Sequence, residues 1–351
     1  MSDRPSEDDL IARYFAPLAG PGGLGLRDDA AALAPPSGRD LVLTVDALVA
    51  GVHFFVDDPP EAIAQKALRV NLSDLAAKGA APLGFLLTLA LPMDWRADWL
   101  ELFARALGED AARYACPLLG GDTVSTPGPL SLTITAVGSV PTGCMAPRTG
   151  ARAGDFLYVS GTIGDAALGL ALRTAISPVI ASDAKQSPPL TDNGQANELR
   201  RFARNDRLGS AFLLDRYLLP QPRLALVPAL LAHASGAMDV SDGLVGDLTK
   251  MLRVSGVSAV VDTWRAPLSD AAARLVSADS SLLETALTGG DDYEILASVP
   301  SSHAASFERA AHECGVDVTR IGEVVAGEAP PMFRDARGAP VHFRRGSFSH
   351  F

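Results

Sequence analysis

The chain has 351 residues, and 48% of them are hydrophobic, which is enough to fill two separate cores, so we expect two domains. Its 30 lysines and arginines are outnumbered by 41 aspartates and glutamates, and the net charge of −11 excludes a general attraction for nucleic acid or an anionic membrane. The three cysteines have no C-x-x-C spacing, which excludes a disulfide framework and a structural zinc site and predicts buried free thiols.

The most polar and the most apolar segments of the chain both argue against targeting or membrane insertion. The first ten residues, MSDRPSEDDL, are acidic and polar, whereas a signal peptide begins basic and continues apolar. The longest apolar stretch, residues 81–93, contains proline and threonine and is too short to cross a bilayer. We therefore expect a cytoplasmic protein with no membrane partner.

Strands and helices alternate along the first half of the chain. Alternating apolar residues from Leu41 to Val45 predict a strand that ends near Asp46. The elements predicted after it are a helix over 61–78, a buried strand over 81–92, a helix over 95–114, a short strand within 116–123 that runs into a glycine turn, and a strand over 130–140.

Residues 141–155 are rich in glycine and proline, and this change of composition predicts a boundary between a domain of residues 1–146 and one of residues 147–351. The predicted elements of the second half are strands over 155–161, 236–243, 258–263 and 293–300 and helices over 165–174, 244–252 and 270–276. Residues 177–206 are polar and contain prolines, which predicts a loop or a partly disordered excursion. Alternation in both halves indicates an α/β or α+β class for each.

Aspartates recur where these strands or glycine turns are predicted to end, and one lies inside an apolar helix. They are Asp28, Asp29, Asp46, Asp74, Asp122, Asp239, Asp242, Asp291 and Asp292. Taken singly, such an acid often caps a helix N-terminus. Two carboxylates about 4 Å apart repel by roughly 4 kcal/mol at an effective dielectric near 20, so a cluster of four or more would have to bind protons or cations. Aspartate oxygens suit Mg²⁺ together with substrate phosphates.

The sequence contains no G-x-x-x-x-G-K-[ST] segment and no kinase glycine loop followed by V-A-I-K, so both common nucleotide-binding frameworks are absent. Glycine turns beside acids remain, at residues 120–123 and 288–294, where backbone N–H groups can approach phosphate oxygens. His53 is the only histidine within such a turn, and its spacing leaves a structural role and a ligand role both open.

The segment AMDVSDGLVGDLTKML predicts an amphipathic helix with Ser241 as its cap. Asp239 and Asp242 would then lie at the positive end of that helix. Capping needs one oxygen-bearing side chain and this turn offers three, so metal or phosphate binding is favoured over capping alone.

Seven segments, taken in chain order, resemble the motifs of the thiamine-monophosphate kinase family. They are RDDAAAL, LTVDALVAGVHF, KALRVNLSDLAAKGAAP, LLGGDT, MDVSDGL, GGDDYEIL and the terminal HF. The resemblance runs from about residue 10 to residue 351 and omits only residues 177–206. The wider superfamily includes aminoimidazole ribonucleotide synthetase, selenophosphate synthetase and a hydrogenase-maturation protein, which use ATP without a P-loop.

The resemblance implies a two-domain aminoimidazole ribonucleotide synthetase-like fold, α/β (α+β) in class. It also implies a homodimer in which two N-terminal ATP- and Mg-binding domains pair into a β-barrel. The implied reaction is direct in-line transfer of the ATP γ-phosphoryl group to thiamine monophosphate, with several Mg²⁺ ions as cofactors. This reaction is the last step of thiamine diphosphate biosynthesis.

The family motifs also imply residue roles. The implied metal ligands are Asp29, Thr44, Val45 through its backbone, Asp46, Asp74, Asp122, Asp239 and Asp242. The implied ATP contacts are Tyr114, Gly121, Asp122, Arg148 and Ser241, and the implied contacts with the thiamine substrate are His53, Asp291 and Phe348.

Three positions depart from the family pattern. Many members have threonine at Val45, glutamate at Asp291, and tryptophan or tyrosine in place of Phe348. None of these changes removes a carboxylate from the implied metal ligands, so they bear on substrate contact more than on catalysis.

Two alternatives stay open. The same fold could phosphorylate another acceptor of the superfamily, although a selenophosphate synthetase would carry a reactive cysteine near its N-terminus and the first cysteine here is Cys116. A nucleotide-sensing scaffold without catalysis is the other alternative, and the intact row of aspartates argues against it.

Overall fold

A computed structural model describes residues 6–176, 193–344 and 346–347, which form two compact units. The first unit contains the described residues up to Leu75 together with Ala80–Gly143, and the second contains Ala76–Gly79 and the described residues from Cys144 onward. Each unit has its own β-sheet with helices, so the expected mixed α/β architecture is confirmed. No helix in the described part of the chain is long and apolar enough to cross a membrane.

The first unit is built on a four-stranded sheet. Its elements are α1 (Glu7–Leu10), β1 (Arg39–Val49), α2 (Pro60–Ala77), β2 (Ala81–Pro92), α3 (Ala97–Arg113), β3 (Leu118–Thr126) and β4 (Ser131–Pro141). The strand order is β1-β4-β2-β3, with β4 antiparallel to β1 and β2 and with β3 parallel to β2. Within the described residues this sheet is open, and β1 and β3 are its edges.

One face of this sheet is covered by α2. Ala136 in the central strand β4 is fully buried and pairs with Thr44 of β1 and with the buried Phe85 of β2, so these residues point to one face. On that face Leu75 of α2 approaches Gly138, where an added Cβ would lie 3.0 Å from a Leu75 methyl carbon. The opposite face carries exposed apolar side chains from β1.

The second unit is built on a six-stranded sheet. Its elements are β5 (Asp155–Ser160), α4 (Asp165–Ile176), α5 (Asn193–Asn205), α6 (Arg207–Leu218), α7 (Val227–His233), β6 (Gly236–Val240), α8 (Leu244–Ser255), β7 (Ser258–Asp262), α9 (Asp270–Ala278), α10 (Leu282–Thr288), β8 (Glu294–Pro300), α11 (Ala304–Glu313), β9 (Val318–Val325) and β10 (Met332–Arg334). The strand order is β10-β7-β9-β5-β8-β6, antiparallel except for the β10–β7 pair.

Helices cover both faces of this second sheet. On β5, Leu157 and Val159 pack into a buried cluster that includes Leu248 of α8. Tyr158, between them, points the other way into a cluster with Phe307 of α11. A third buried cluster joins α4, α5, α6, α9 and α10. Strands buried on both faces account for the nearly continuous apolar runs in this half of the sequence.

Four predictions about strands, turns, loops and cysteines are corrected by the structure. The first strand does not end near Asp46 but continues to Val49, and the predicted turn of Gly120 and Gly121 lies inside β3. Residues 193–205 form α5 rather than a loop, while residues 177–192 lie outside the described residues. Cys144 is exposed, so the expectation of buried thiols is wrong at that position.

Candidate functional site

Thr44 of β1 and Asp74 of α2 are joined in the first unit. The Thr44 hydroxyl donates a short hydrogen bond to Asp74 Oδ2, and both residues are half-buried. Asp74 therefore faces the sheet's covered side, which accounts for an acid in a largely buried helix. Asp46 lies two residues after Thr44 on the same strand, so its side chain is on the same face. Three oxygen-bearing side chains of the predicted metal set share this face.

Asp122 lies on the opposite face of the same sheet. Through β4 the pairing aligns Asp46 with Leu87, whereas Asp122 pairs with Thr88, the next residue of β2. Successive strand residues point to opposite faces, so Asp122 and Asp46 do not share one. Gly121 pairs with Leu87, and an added Cβ there would lie 1.8 Å from the Leu87 carbonyl oxygen. Strand packing therefore requires this glycine.

Asp29 and His53 lie in connecting segments of the first unit. Asp29 is exposed in the segment before β1, where its backbone N–H donates to an Asp28 carboxylate oxygen at 2.8 Å. His53 lies in the turn after β1, and its Nδ1 accepts a 3.0 Å hydrogen bond from the Val49 backbone N–H. The proton of the neutral ring is therefore on Nε2. Lys66 Nζ donates to the His53 carbonyl at 3.2 Å.

Tyr114 follows the last residue of α3 and lies beside two arginines. The guanidinium carbons of Arg69 and Arg113 are 5.8 and 5.3 Å from the centre of its ring. Arg69 is buried and forms two hydrogen bonds with Asp110, of 2.6 and 3.0 Å, so its charge is compensated. Arg113 is exposed. The ring thus lies next to an accessible positive charge, a position that suits an anionic ligand.

In the second unit, Asp242 belongs to a charged group at the start of α8. Lys250 Nζ donates to Asp242 Oδ2 at 2.5 Å and to Asp247 Oδ1 at 3.0 Å. The buried Asp247 also accepts a 2.9 Å bond from the Asp242 backbone N–H. Burial raises the pKa of Asp247, although Lys250 opposes that shift. Burial would lower the pKa of Lys250, but the bonds to the two carboxylates outweigh it and raise that pKa.

The predicted capping of α8 by Ser241 is wrong. The helix begins after Gly243, which has φ = 115° and no side-chain capping bond. An added Cβ at Gly243 would lie 2.6 Å from the Thr288 carbonyl oxygen, so the two turns are too close for a larger residue. The Ser241 carbonyl instead accepts a 2.8 Å hydrogen bond from the backbone N–H of Asp291.

This bond brings together Asp291 and Ser241, which belong to two segments far apart in the sequence. A second backbone bond of 2.8 Å, from Tyr293 N–H to the Val240 carbonyl, fixes the same pair of turns. Asp291 and Tyr293 both have left-handed backbones, with φ of 72° and 51°, which side chains other than glycine rarely adopt. Asp239 precedes this turn inside β6 and is 5% exposed.

Arg148 lies near the other end of α8. Its carbonyl accepts a 3.4 Å hydrogen bond from the hydroxyl of Ser255, the last residue of that helix, whereas Asp242 precedes the first. Twelve helical residues span about 18 Å, so the Arg148 backbone and the Asp242 turn are separated by about that length. Phe348 lies outside the described residues.

Sequence reasoning singled out Asp292 without giving it a role, and it missed two further buried acids next to the Asp291 turn, Asp165 and Glu294. Asp165, Asp292 and Glu294 are 2%, 8% and 2% exposed. Glu294 pairs with Arg223 and accepts a 2.6 Å bond from the Ser160 hydroxyl. The only sequence signal was the run GGDDYE, in which Asp292 and Glu294 follow the predicted substrate contact Asp291.

Burial shifts the acidity of two of these groups. It raises the pKa of Asp292 well above its usual value, and the neighbouring charges of Asp165 and Glu294 add to the shift, while the Gly164 N–H opposes it. Burial also raises the pKa of Asp165, although the hydroxyls of Ser269 and Thr162 donate to it.

The donor set fits a hard divalent cation in its chemistry. The predicted ligands offer carboxylate, hydroxyl and carbonyl oxygens and no histidine or cysteine, which is the preference of Mg²⁺. Among the residues that the structure describes, no group of three or more histidine, cysteine, aspartate or glutamate side chains is arranged to hold a metal ion. Mg²⁺ commonly uses one or two carboxylates and fills its other positions with water and substrate phosphates, so a complete protein cage is not required.

Comparison with protein families covers most of the chain. Residues 27–140 match the AIR synthase related protein, N-terminal domain, and residues 152–332 match the AIR synthase related protein, C-terminal domain. The first match ends just before the glycine- and proline-rich segment at 141–155, and the second begins within that segment.

Individual relatives match over nearly the full length. A thiamine-monophosphate kinase of Caulobacter vibrioides is 40% identical over 338 residues, which cover 95% of this chain and 88% of that protein. The crystal structure of a thiamine-monophosphate kinase from Stenotrophomonas maltophilia K279a is 36% identical, with a TM-score of 0.73, and covers 90% of this chain and 91% of that one. A structure of AaThiL complexed with AMPPCP and TMP is 28% identical, with a TM-score of 0.71, and covers 100% of both chains.

Proposed function

Because the chain belongs to the thiamine-monophosphate kinase family, within the AIR synthase related proteins, we propose that it transfers the γ-phosphoryl group of ATP to thiamine monophosphate. The products are thiamine diphosphate and ADP, and the reaction completes thiamine diphosphate biosynthesis. The observation that carries this proposal is 40% identity over 95% of the chain to a kinase of this name. The similar structure that contains AMPPCP and TMP supports both substrates.

The metal ligands are the set Asp29, Thr44, the Val45 carbonyl, Asp46, Asp74, Asp122, Asp239 and Asp242. The Thr44–Asp74 hydrogen bond and the shared face of Asp46 support these three ligands, whereas Asp122 lies on the opposite face of the sheet. When bound, Mg²⁺ would neutralise phosphate charge and polarise the γ-phosphoryl group. Lys250 Nζ donates to Asp242 Oδ2, and this bond holds the carboxylate in one orientation.

The nucleotide contacts are Tyr114, Gly121, Asp122, Arg148 and Ser241, and the thiamine contacts are His53, Asp291 and Phe348. The accessible Arg113 cation beside the Tyr114 ring supports an anionic ligand there. The bond between Asp291 N–H and the Ser241 carbonyl supports neighbouring positions for the thiamine and nucleotide substrates in the second unit. Asp291 is one methylene shorter than the family's glutamate, so its contact with the substrate can run through water.

Transfer is direct and in line, with no phosphoenzyme. The acceptor is a phosphate oxygen that is already largely ionised near neutral pH, so the protein needs no general base. Its residues bind, orient and hold the two phosphate groups, which is the main requirement of phosphoryl transfer. The row of carboxylates fits this role, because an acidic protein that joins two anionic substrates must recruit cations.

The molecule acts as a homodimer. Residues 1–146 form the nucleotide-binding and pairing domain, and residues 147–351 form the C-terminal α/β domain. On the uncovered face of β1, Leu43 is 64% exposed, Val45 is 59% exposed and Leu41 is 40% exposed, an apolar stripe that a partner would bury. Because the first sheet is open within the described residues, pairing of two such sheets would complete a β-barrel.

A coupled assay of ADP release tests the function. ADP should appear with thiamine monophosphate and ATP, and only when Mg²⁺ is present. The control acceptor is formylglycinamidine ribonucleotide, the substrate of another superfamily member. With this compound we expect no ADP release above the rate without an acceptor. Preference for formylglycinamidine ribonucleotide would mean that it, and not thiamine monophosphate, is the substrate. If neither acceptor leads to ADP release, the non-catalytic nucleotide sensor is favoured.

A further inference from the structure

Asp292 is a buried acid inside a strained turn. Its two neighbours, Asp291 and Tyr293, have φ of 72° and 51°, and both are fixed by backbone bonds to the β6–α8 turn. Left-handed residues of this kind cost of order 1–3 kcal/mol each and persist only where the surroundings hold them. The Asp292 side chain bonds instead to the start of a different helix.

That helix is α4. The Gly164 backbone N–H donates to both carboxylate oxygens of Asp292, at 3.0 and 2.8 Å. Gly164 has φ = 86°, and an added Cβ would lie 2.4 Å from the Ala286 side chain, so its N–H has little freedom to move. Asp292 thus ties the turn to the start of a twelve-residue helix.

We propose that Asp292 is a positioning residue: by anchoring the strained turn of residues 289–293 to α4, it holds Asp291 in the orientation that binds the thiamine substrate. The proposal rests on the proposed function, which assigns Asp291 to that substrate. Two sets of bonds fix the turn: its own N–H groups donate to the Ser241 and Val240 carbonyls, and the N–H of Gly164, just before α4, donates to Asp292.

The matched control is Asp165. It is also a buried acid at the start of α4, but it accepts from the hydroxyls of Thr162 and Ser269, neither of which belongs to the 289–293 turn. Asp292→Ala and Asp165→Ala both remove a buried carboxylate from the same end of the same helix. Only the first removes an anchor of the turn.

The experiment combines hydrogen exchange with steady-state kinetics on the full-length chain. In Asp292→Ala, exchange of the Asp291 and Tyr293 amides should accelerate about tenfold or more, and the KM for thiamine monophosphate should rise by a similar factor, as expected for lost hydrogen bonds to a carboxylate. The KM for ATP should stay within about twofold, because Ser241 remains held between β6 and α8. Asp165→Ala should change neither the exchange of these amides nor the KM for thiamine monophosphate.

Two outcomes would overturn the proposal: equal effects of the two variants, or faster exchange in Asp292→Ala with an unchanged KM for thiamine monophosphate. If Asp292→Ala is not recovered folded, Asp292→Asn keeps the volume and one acceptor oxygen and should show the same changes at smaller size. Hydrogen exchange can be measured without catalytic turnover. If the wild-type enzyme does not use thiamine monophosphate, the proposed function fails, while the exchange data still decide whether Asp292 holds the turn.

Discussion

Asp74 is an acid that a largely buried helix tolerates because the Thr44 hydroxyl of β1 donates to it. Asp74→Asn keeps an acceptor oxygen for that hydroxyl, so we expect the fold to survive. The substitution removes the negative charge that a divalent cation requires, and kcat should fall by roughly 10²- to 10³-fold, as when an electrostatic stabiliser of the transition state is lost. Coupled ADP release measures the rate, and circular dichroism checks the fold.

Glu101→Gln is the control for Asp74→Asn, since Glu101 is an exposed acid on α3 of the same unit. It should leave kcat unchanged. A folded Asp74→Asn enzyme with the wild-type rate would remove Asp74 from the metal ligands.

Asp165 gives a prediction about stability and pH. Its pKa is raised by burial, so above pH of about 4 the folded state holds a proton that the unfolded state has lost. The free energy of unfolding therefore falls as pH rises through that window, by at most ~1.4 kcal/mol per pH unit for one proton. Asp165→Asn has no such proton, so wild-type stability should decline relative to this variant as pH rises from about 4.

Urea unfolding at several pH values measures this difference. Asp270→Asn, which changes an exposed aspartate in the first turn of α9, serves as the control and should show no comparable decline. We define the difference as the free energy of unfolding of wild type minus that of Asp165→Asn. A difference that stays constant or increases with pH would contradict the raised pKa.

Helices α2 and α3 are joined by a buried ion pair. The side chains of Arg69 and Asp110 are each 3% exposed, and the pair is bidentate. Asp110→Ala would leave the guanidinium buried without its partner, and we expect a loss of about 3–5 kcal/mol in the free energy of unfolding of the first unit. Arg69→Met combined with Asp110→Leu should recover much of the loss, because well-packed apolar groups can replace a buried pair.

Tryptophan fluorescence during urea unfolding follows this transition, since Trp99 stacks on Phe103 of the same helix. Asp98→Ala breaks the exposed pair with Arg96 and should change stability little. A loss in Asp110→Ala no larger than that in Asp98→Ala would show that the buried pair adds nothing to the packing of α2 on α3.

Hydrophobic periodicity predicted a helix and a strand of the first unit. The helix expected over 61–78 is α2 (Pro60–Ala77), and the strand expected over 130–140 is β4 (Ser131–Pro141). Helix α5 was missed because its sequence is mostly polar, and what holds it is the burial of Leu199 against neighbouring helices. Tertiary packing thus overrides a weak local pattern.

Glycine and acid patterns were less informative about local geometry. Two adjacent glycines predicted a turn, yet Gly121 lies inside β3. A glycine is required there because the neighbouring strand leaves no room for a side chain. An oxygen-bearing residue before α8 predicted a cap, yet Ser241 is held through its carbonyl by a turn fifty residues later. Such contacts are long-range, and no local sequence pattern encodes them.

For the whole chain, the exposed stripe on β1 predicts the oligomeric state. Leu43→Glu would place a charge in the proposed dimer interface, so analytical ultracentrifugation should find a monomer in place of a species of twice the 36.5 kDa chain mass. Leu208→Glu, at an 86% exposed position of α6, should leave the dimer intact. A monomeric wild type, or a Leu43→Glu dimer, would contradict pairing through this face.

The sequence predicts which acids form the candidate site but not how folding distributes them. Thr44, Asp46 and Asp74 share a face because of strand alternation and one helix contact, whereas register puts Asp122 on the other face. A single-residue change of register would reverse that result, and register depends on the pairing of the whole sheet. The convergence of all eight predicted ligands in one pocket stays a prediction.

The most direct test is to measure the product itself. Purified protein is incubated with ATP, Mg²⁺ and thiamine monophosphate, and thiamine diphosphate and ADP are quantified together by chromatography. We predict that the two products form in equal amounts and that neither forms when Mg²⁺ is chelated. ADP without thiamine diphosphate, or thiamine diphosphate formed in the absence of divalent cation, would contradict a kinase that joins its substrates through metal-bound carboxylates.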